Sequence, residues 1–135
     1  MHYFVAKYLA IQGTMCYNKY TEEKGGDFLN SQLKRGTLEL CVLSILARRD
    51  CYGYELVNAI SESMHITEGT IYPLLKRLKD DGNITSYLVE STEGPPRKYY
   101  KITNNGLIKT KELEGQWIQF YRSINKILGI TEKGE

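Results

Sequence analysis

The sequence lacks the features of membrane proteins and of disulfide-stabilised proteins. No apolar run approaches the roughly 18 residues that are needed to cross a bilayer. Lys7 and Gln12 interrupt the apolar N-terminus, so we expect no secretory signal there. The three cysteines, Cys16, Cys41 and Cys51, form no C-x-x-C pair and are odd in number, so we interpret them as structural thiols. We therefore expect a cytoplasmic protein that does not bind a membrane.

The sequence also lacks the short motifs of common enzyme and metal sites. It contains no G-x-S-x-G, P-loop or H-E-x-x-H pattern, and no cysteines and histidines at the spacing of a zinc site. We predict no enzymatic activity, no bound metal and no cofactor. The formal net charge of +2 is too small to indicate nucleic-acid binding by itself. Such a function would have to depend on local charge.

Three segments have the apolar pattern of helices that share a core. Residues 38–47 are apolar on nearly all sides, as in a central helix. A turn over residues 50–53 leads to a second predicted helix over residues 54–63. Residues 67–82 form the third, in which Thr67 can cap the start and Gly82 the end. The apolar positions of this third helix follow the i, i+3, i+4, i+7 spacing at Ile71, Leu74, Leu75 and Leu78.

The pattern after Gly82 changes to that of strands and then returns to that of a helix. Residues 84–90 and 98–103 are rich in β-branched and aromatic residues, and turn-forming residues separate them. A last helix begins at Thr103 or Asn104 and runs to about Leu128. The predicted fold is therefore mainly α with a small β-hairpin, a winged helix-turn-helix domain plus a C-terminal dimerisation helix. Its parts are an N-terminal extension of unknown role (residues 1–30), the winged helix-turn-helix domain (31–103), and the dimerisation helix with its tail (104–135).

The last helix carries an apolar seam with alternating four- and three-residue spacing, which is typical of a coiled coil. Burying five large apolar side chains is worth roughly 1.5–3 kcal/mol each before entropy costs, which is enough to drive pairing. We expect a two-fold homodimer, because symmetric pairing is the commonest closed assembly. The seam consists of Leu113, Trp117, Phe120, Ile124 and Ile127.

The third helix is the candidate recognition helix, since such a helix contacts DNA with its N-terminal residues. Pro73 lies about one and a half turns in, so we expect irregular first turns. The free N–H groups of that end suit a phosphate, and Gly69 would relieve crowding at Pro73. The predicted DNA contacts here are Thr67, Glu68, Gly69, Thr70, Tyr72, Pro73, Lys76 and Arg77.

Each of these residues also has a purely structural interpretation. Thr67 could serve as an N-cap, with or without a role at a phosphate. Tyr72 could pack on the hairpin instead of pointing outward. Lys76 and Arg77 could belong to an ordinary solvated helix face.

The hairpin loop is the second candidate DNA contact. Prolines stiffen the stretch Gly-Pro-Pro-Arg-Lys over residues 94–98, and we expect Arg97 at its tip to enter a narrow minor groove. Lys98 would contact phosphate, which positions a protein without reading sequence. Tyr99 and Tyr100 point to opposite faces, so one belongs to the core and only the other can approach DNA; we assign the contact to Tyr99. The alternative is an ordinary hairpin with solvated charges.

Four motifs occur in the order seen in one bacterial family. They are QLKRGTLELCVLSIL (residues 32–46), YGYEL (52–56), TIYPLLKRL (70–78) and RKYYKIT (97–103). Together they resemble the PadR family of transcriptional regulators over roughly residues 31–128. The resemblance implies a winged helix domain, a C-terminal dimerisation helix and repression of a nearby operon; the single final helix is similar to the smaller subfamily. Residues 1–27 have no counterpart, and prolines stand where family wings often carry a second basic residue.

Trp117, the only tryptophan, has two interpretations. It is a seam residue of the dimer, or a pair of such rings across the two-fold frames a pocket for a planar aromatic effector. The resemblance implies the second role for an aromatic at this position, and Phe120 and Tyr121 are further candidate effector contacts. We therefore predict a sequence-specific DNA-binding regulator, a ligand-responsive repressor that binds a palindromic operator as a homodimer. The alternative is a winged-helix protein-interaction module without effector or operator specificity.

Overall fold

The structure, a computed structural model, describes residues 37–130. Four helices and three strands follow one another along this part of the chain. The predicted extension over residues 1–30 lies outside the described residues. The elements are α1 (Leu38–Leu46), β1 (Cys51–Tyr52), α2 (Gly53–Ser61), α3 (Glu68–Asp80), β2 (Ile84–Val89), β3 (Arg97–Ile102) and α4 (Asn104–Leu128).

The predicted helices and hairpin are confirmed, but the turn predicted over residues 50–53 is wrong. Cys51 and Tyr52 form a short strand that pairs antiparallel with β3, opposite Tyr100 and Tyr99. The sheet order is therefore β1-β3-β2, with β3 in the centre. Sequence period cannot reveal a strand of two residues, but pairing covers backbone groups that would otherwise form an open sheet edge. The sheet ties the hairpin to the start of α2.

The core lies between α1, α2 and α3 and extends under the sheet. Ile71, Leu75 and Leu78 of the α3 stripe are fully buried, while Leu74 is half-buried against the same cluster. The two hairpin strands contribute Ile84 and Tyr100. The helix stripe predicted from the sequence is therefore the face that α3 turns toward the core. The remaining core residues are Leu38, Val42, Leu43, Leu46, Cys51, Leu56, Val57, Ile60 and Ile66.

The end of α3 is set by Gly82. Its φ of +78° lies in the left-handed region, which glycine adopts without steric cost. The N–H of Gly82 bonds to the carbonyl of Lys79, and that of Asn83 bonds to the carbonyl of Leu78. This is the Schellman arrangement, which satisfies the last helix carbonyls and turns the chain into β2.

The start of α4 lies directly on this same turn. Thr103 caps α4 by accepting a hydrogen bond from the Gly106 N–H (3.1 Å), and its hydroxyl donates to the Gly82 carbonyl (2.7 Å). The N–H of Thr103 bonds to the Asn83 carbonyl at 3.0 Å. A Cβ added at Gly106 would lie 2.1 Å from the Asn83 carbonyl oxygen. Glycine at this position is therefore what allows α4 to begin against the end of α3.

Candidate nucleic-acid interface

The N-terminus of α3 is exposed, as its predicted role requires. Thr67 is the N-cap residue and has an extended backbone, but its side chain makes no capping hydrogen bond. Its Oγ1 lies 3.3 Å from Oγ1 of Thr70 instead. Glu68 and Gly69 are exposed as well. This first turn therefore presents hydroxyls, a carboxylate and helix N–H groups at the surface.

Two expectations about this turn are wrong. The helix is continuous through Pro73 and not irregular in its first turns. A Cβ added at Gly69 would meet only Oγ1 of Thr67, at 3.8 Å, so glycine is not needed there to relieve crowding at Pro73. Pro73 has no N–H, so the helix loses one backbone hydrogen bond there. The burial of Ile71 and Leu75 on either side helps to offset this cost.

Tyr72 does not simply point outward. Its ring lies on Gly53 at the start of α2, where an added Cβ would be 2.7 Å from Cε1 of the tyrosine. The side chain is still 44% exposed, so one side of the ring faces solvent. Burial chiefly, and to a smaller extent the nearby Tyr72, raises the pKa of Tyr100. Tyr72 thus joins the start of α3 to the start of α2, which explains the glycine in the Tyr-Gly-Tyr sequence over residues 52–54.

The two basic residues of α3 differ in their surroundings. Lys76 is exposed. Arg77 forms an ion pair with Glu39 of α1, with 3.4 Å between Nη2 and Oε2. The other carboxylate oxygen of Glu39 lies 2.8 Å from Nζ of Lys109 in α4. Arg77 is 59% exposed and at the same time belongs to a carboxylate-centred cluster that connects α1, α3 and α4.

Arg97 lies beside the wing loop and not at its tip. Its Cα is paired with that of Val89 in the last pair of the β2–β3 ladder, so the loop of residues 90–96 extends beyond it. The predicted tip position is wrong because β3 begins one residue earlier than the sequence pattern indicates. The guanidinium carbon lies 4.8 Å from the centroid of the Tyr52 ring. Lys98 points to the other face, where its Nζ lies 5.8 Å from the Tyr100 ring centroid.

Three tyrosines form a row across the outer face of the sheet, and we call them the tyrosine row. Tyr99 is paired directly with Tyr52 on one side and with Tyr87 on the other. The ring centroids are 5.5 Å and 5.7 Å apart, respectively. The Tyr87 hydroxyl donates to Asp50 at 2.7 Å, which is the main reason that its pKa is raised. Tyr100 is buried on the opposite face, so the prediction that only one of the two adjacent tyrosines belongs to the core is confirmed.

The contacts of Tyr52 with Tyr99 and Arg97 do not follow from the sequence pattern, which indicated a turn over residues 50–53. One sequence feature could have indicated a strand here, namely the alternation of Tyr52 and Tyr54 together with a tyrosine in the hairpin.

Cys41 and Cys51 are free thiols whose pKa values are raised by burial, and Cys16 lies outside the described residues.

The predicted seam on α4 divides into a packed part and an exposed part. Leu113 is half-buried and packs against the core of its own chain. Trp117, Phe120 and Ile127 are 37%, 58% and 84% exposed. The Trp117 ring lies 6.4 Å from that of Phe120 and 6.1 Å from that of Tyr121, so the three form an aromatic surface. Ile124 is half-buried.

The family profile described as the transcriptional regulator PadR-like family matches residues 42–112, more than half of the chain. The match runs from α1 through the first turns of α4, and so includes both helices of the helix-turn-helix and the whole wing. The chain belongs to the PadR-like family. It is therefore a winged-helix, DNA-binding transcriptional regulator, a class that does not act by enzymatic catalysis.

Solved structures of PadR-like regulators agree with this fold. One from Bacillus cereus is 37% identical, with a TM-score of 0.67, and the match covers 78% of this chain and 100% of the other. A PadR family regulator from Eggerthella lenta is 36% identical, with a TM-score of 0.68, over 78% of this chain and 96% of the other. In both cases this chain covers nearly all or all of the solved protein's length.

The chain is also similar to the transcriptional regulator YqjI of Escherichia coli. The two are 31% identical over 100 residues, which is 71% of this chain and 42% of YqjI. The match therefore leaves more than half of YqjI without a counterpart here. Among residues 37–130, no helix is long and apolar enough to cross a membrane, including the 25-residue α4.

Proposed function

We propose that this PadR-like regulator is a cytoplasmic repressor that binds a palindromic operator as a homodimer and releases it when a planar aromatic effector binds. The observation that carries this proposal is the exposed apolar surface on the second half of α4. A regulator that binds a two-fold symmetric DNA site needs such a surface to hold its two DNA-binding domains at a fixed distance from each other.

The length and composition of α4 support a dimer. A helix of 25 residues is about 37 Å long, which exceeds what the core of one small domain can cover. Trp117, Phe120 and Ile127 lie at heptad positions beyond the part that packs on the core. A second copy of the same helix offers the same residues in complementary positions. Pairing would remove these side chains from water.

The exposed N-terminal end of α3 supports DNA binding. Residues 67–70, together with Tyr72, Pro73 and Lys76, form one surface whose N–H groups lie at a positive helix end. Arg77, which is paired with Glu39 in the free protein, would contact a DNA phosphate. Arg97, Lys98 and Tyr99 would flank these contacts from the wing. The winged helix-turn-helix domain of residues 31–103 would thus read DNA, while residues 104–135 hold two such domains about one helical turn of the duplex apart.

The dimer is tested by light scattering at micromolar concentration. We expect the mass of two chains, and a monomer would contradict the proposal.

DNA binding is tested by titrating salt, because each phosphate neutralised makes log K fall more steeply with log salt. We expect a steep slope, whereas a protein-interaction module would respond weakly. Arg97→Ala should reduce the slope by about one unit. Lys101→Ala is the matched control, since Lys101 is an exposed cation at the other end of β3. An unchanged slope for Arg97→Ala would remove the wing from the interface.

The effector site rests on Trp117 and its two aromatic neighbours. In a dimer, these rings and their copies would line a space that suits stacking on a planar ligand. Such a ligand can release DNA only by its higher affinity for the arrangement that does not bind the operator. Trp117 fluorescence, titrated with a series of planar cationic and neutral dyes, tests the site. Quenching that saturates together with loss of DNA affinity supports it, and no change with any dye contradicts it.

A further inference from the structure

Arg97 makes a specific contact before any DNA is bound. Its guanidinium lies over the ring of Tyr52, with 4.8 Å from the central carbon to the ring centroid. A cation at this distance from an aromatic face is attracted by the negative charge of the π-system. At an exposed site this attraction corresponds to about a two- to fivefold change in an equilibrium constant.

The Tyr52 ring is held in place by its neighbours on the sheet and in α2. Tyr99 contacts it edge-on at 5.5 Å, and Tyr54 stacks at 6.4 Å with only 16° between the ring planes. The backbone N–H of Tyr52 donates to Oε2 of Glu55 at 3.0 Å, and Arg49 pairs with the same carboxylate. The neighbouring rings restrict the Tyr52 ring, and the Glu55 bond fixes the backbone from which it projects, whereas an arginine side chain by itself has many rotamers.

We propose that Tyr52 is a positioning residue for Arg97. It holds the guanidinium at one place beside the wing loop, so that Arg97 loses less conformational freedom when it binds DNA. This inference rests on the proposed role of Arg97 in DNA binding. Tyr52 acts through the arginine and needs no contact with DNA of its own. The short strand β1 would serve to place Tyr52 beside Arg97, because β1 pairs with β3.

The test is a double-mutant cycle on random-sequence duplex DNA. Attraction to phosphates does not depend on sequence, so the operator need not be known. We expect Tyr52→Leu to weaken binding about two- to fivefold in the otherwise unaltered protein. The same change should have no effect in an Arg97→Ala background, because there is no guanidinium left to position. Tyr52→Phe keeps the aromatic face and should retain full binding.

Tyr87→Leu is the matched control. It removes another tyrosine of the row, on the other side of Tyr99, and should leave DNA affinity unchanged. Equal weakening by Tyr52→Leu with and without Arg97 would overturn the inference, and so would weakening by Tyr52→Phe. Tighter binding by Tyr52→Leu would overturn it too, since Tyr52 would then be holding Arg97 away from DNA. If Arg97→Ala alone leaves DNA affinity unchanged, the proposed contact between the wing and DNA is wrong. The cycle therefore distinguishes failure of the wing contact from failure of the positioning role of Tyr52.

A measurement on the unaltered protein covers the case in which Tyr52→Leu does not fold. Protons above an aromatic ring are shielded by its ring current. The side-chain protons of Arg97 should therefore resonate upfield of their random-coil positions in the NMR spectrum of the free protein. Random-coil positions would overturn the inference, and Tyr52→Phe should preserve the upfield shifts.

Discussion

The two halves of α4 differ in what they contact, although they belong to one continuous helix. Residues 104–113 lie against their own chain: Thr103 caps the helix, Gly106 lies on Asn83, and Leu113 packs on the core. Residues 117–128 expose more large apolar side chains than the first half, where Leu107 and Ile108 are exposed, and Ile127 is 84% exposed. One heptad spacing joins Leu113 in the first half to Trp117 and the seam residues after it, so period alone does not show which partner an apolar side chain meets.

The difference has a physical origin at the start of the helix. Because Gly106 lets α4 begin directly on the Gly82–Asn83 turn, the axis of α4 is set by the end of α3. The helix then continues past the core, and its second half has no further surface of the core cluster to cover. The first half should therefore govern the stability of one chain, and the second half should govern association.

The largest expected effect is that of Gly106→Ala. The new Cβ would lie 2.1 Å from the Asn83 carbonyl oxygen, so backbone must move. We expect the free energy of unfolding to fall by about 3 kcal/mol, as for overpacked interiors. Urea denaturation at a fixed protein concentration measures it. Gly115→Ala is the control, because nothing lies within 4 Å of its added Cβ. This change should raise the free energy of unfolding by at most about 1 kcal/mol, since alanine favours the helix. Equal stability of the two variants would contradict the close packing of Gly106 on Asn83.

The next effect is that of Trp117→Ala on association. Loss of one large buried side chain from the proposed interface should weaken the dimer by about 2 kcal/mol, or roughly 30-fold. Sedimentation equilibrium over a range of concentrations measures this. Gln116→Ala, at the neighbouring exposed position, removes no apolar ring and should leave association unchanged. An unaltered dimer with a destabilised monomer would show that Trp117 serves its own chain.

A smaller effect is expected from Thr103→Ala. The hydroxyl accepts from Gly106 and donates to the Gly82 carbonyl, so its removal leaves one donor and one acceptor without that partner. We expect a loss of about 1–2 kcal/mol in unfolding free energy, the usual cost of an N-cap that makes two hydrogen bonds. Thr103→Ser keeps the hydroxyl and should lose much less. Thermal unfolding distinguishes the two, and equal melting temperatures would contradict the role of this cap.

The smallest effect is expected from Glu39→Gln. The carboxylate links Arg77 of α3 to Lys109 of α4, but the arginine side chain is 59% exposed, so solvent screens the interaction. We expect the free energy of unfolding to fall by less than about 1 kcal/mol, and this loss should become smaller in high salt. The exposed pair of Glu114 with Lys111 is the comparison, since Glu114→Gln should cost less still. A larger loss for Glu114→Gln would contradict the special position of Glu39.

Much of the fold could be predicted because each part depends on near neighbours in the chain. The apolar stripe of α3 follows from helical period, and the end of α3 follows from the backbone freedom of Gly82. The start of α4 at Thr103 follows from its capping hydroxyl. The hairpin strands follow from β-branched and aromatic residues, with a boundary error of one residue that moved Arg97 from the loop tip into β3.

The candidate site could be predicted only in part, because several of its contacts join distant residues. Glu39 and Arg77 are 38 positions apart, and nothing in the local pattern of either indicates the other. The same holds for Tyr72 on Gly53, and for Arg97 on Tyr52. Residue type pointed to basic and aromatic surfaces, but the partner of each side chain depends on how the elements pack.

The order of the four helices and the two hairpin strands follows from the sequence alone, as do the apolar faces of the helices and the family resemblance in four separate motifs. These properties depend on local backbone preference and on period, which a chain carries before it folds. Packing between distant elements makes Cys51 and Tyr52 a strand, pairs Arg77 with Glu39, and leaves the α4 seam packed at Leu113 but exposed at Trp117, Phe120 and Ile127. Those outcomes depend on distances between residues far apart in sequence, which only the packed core brings within range.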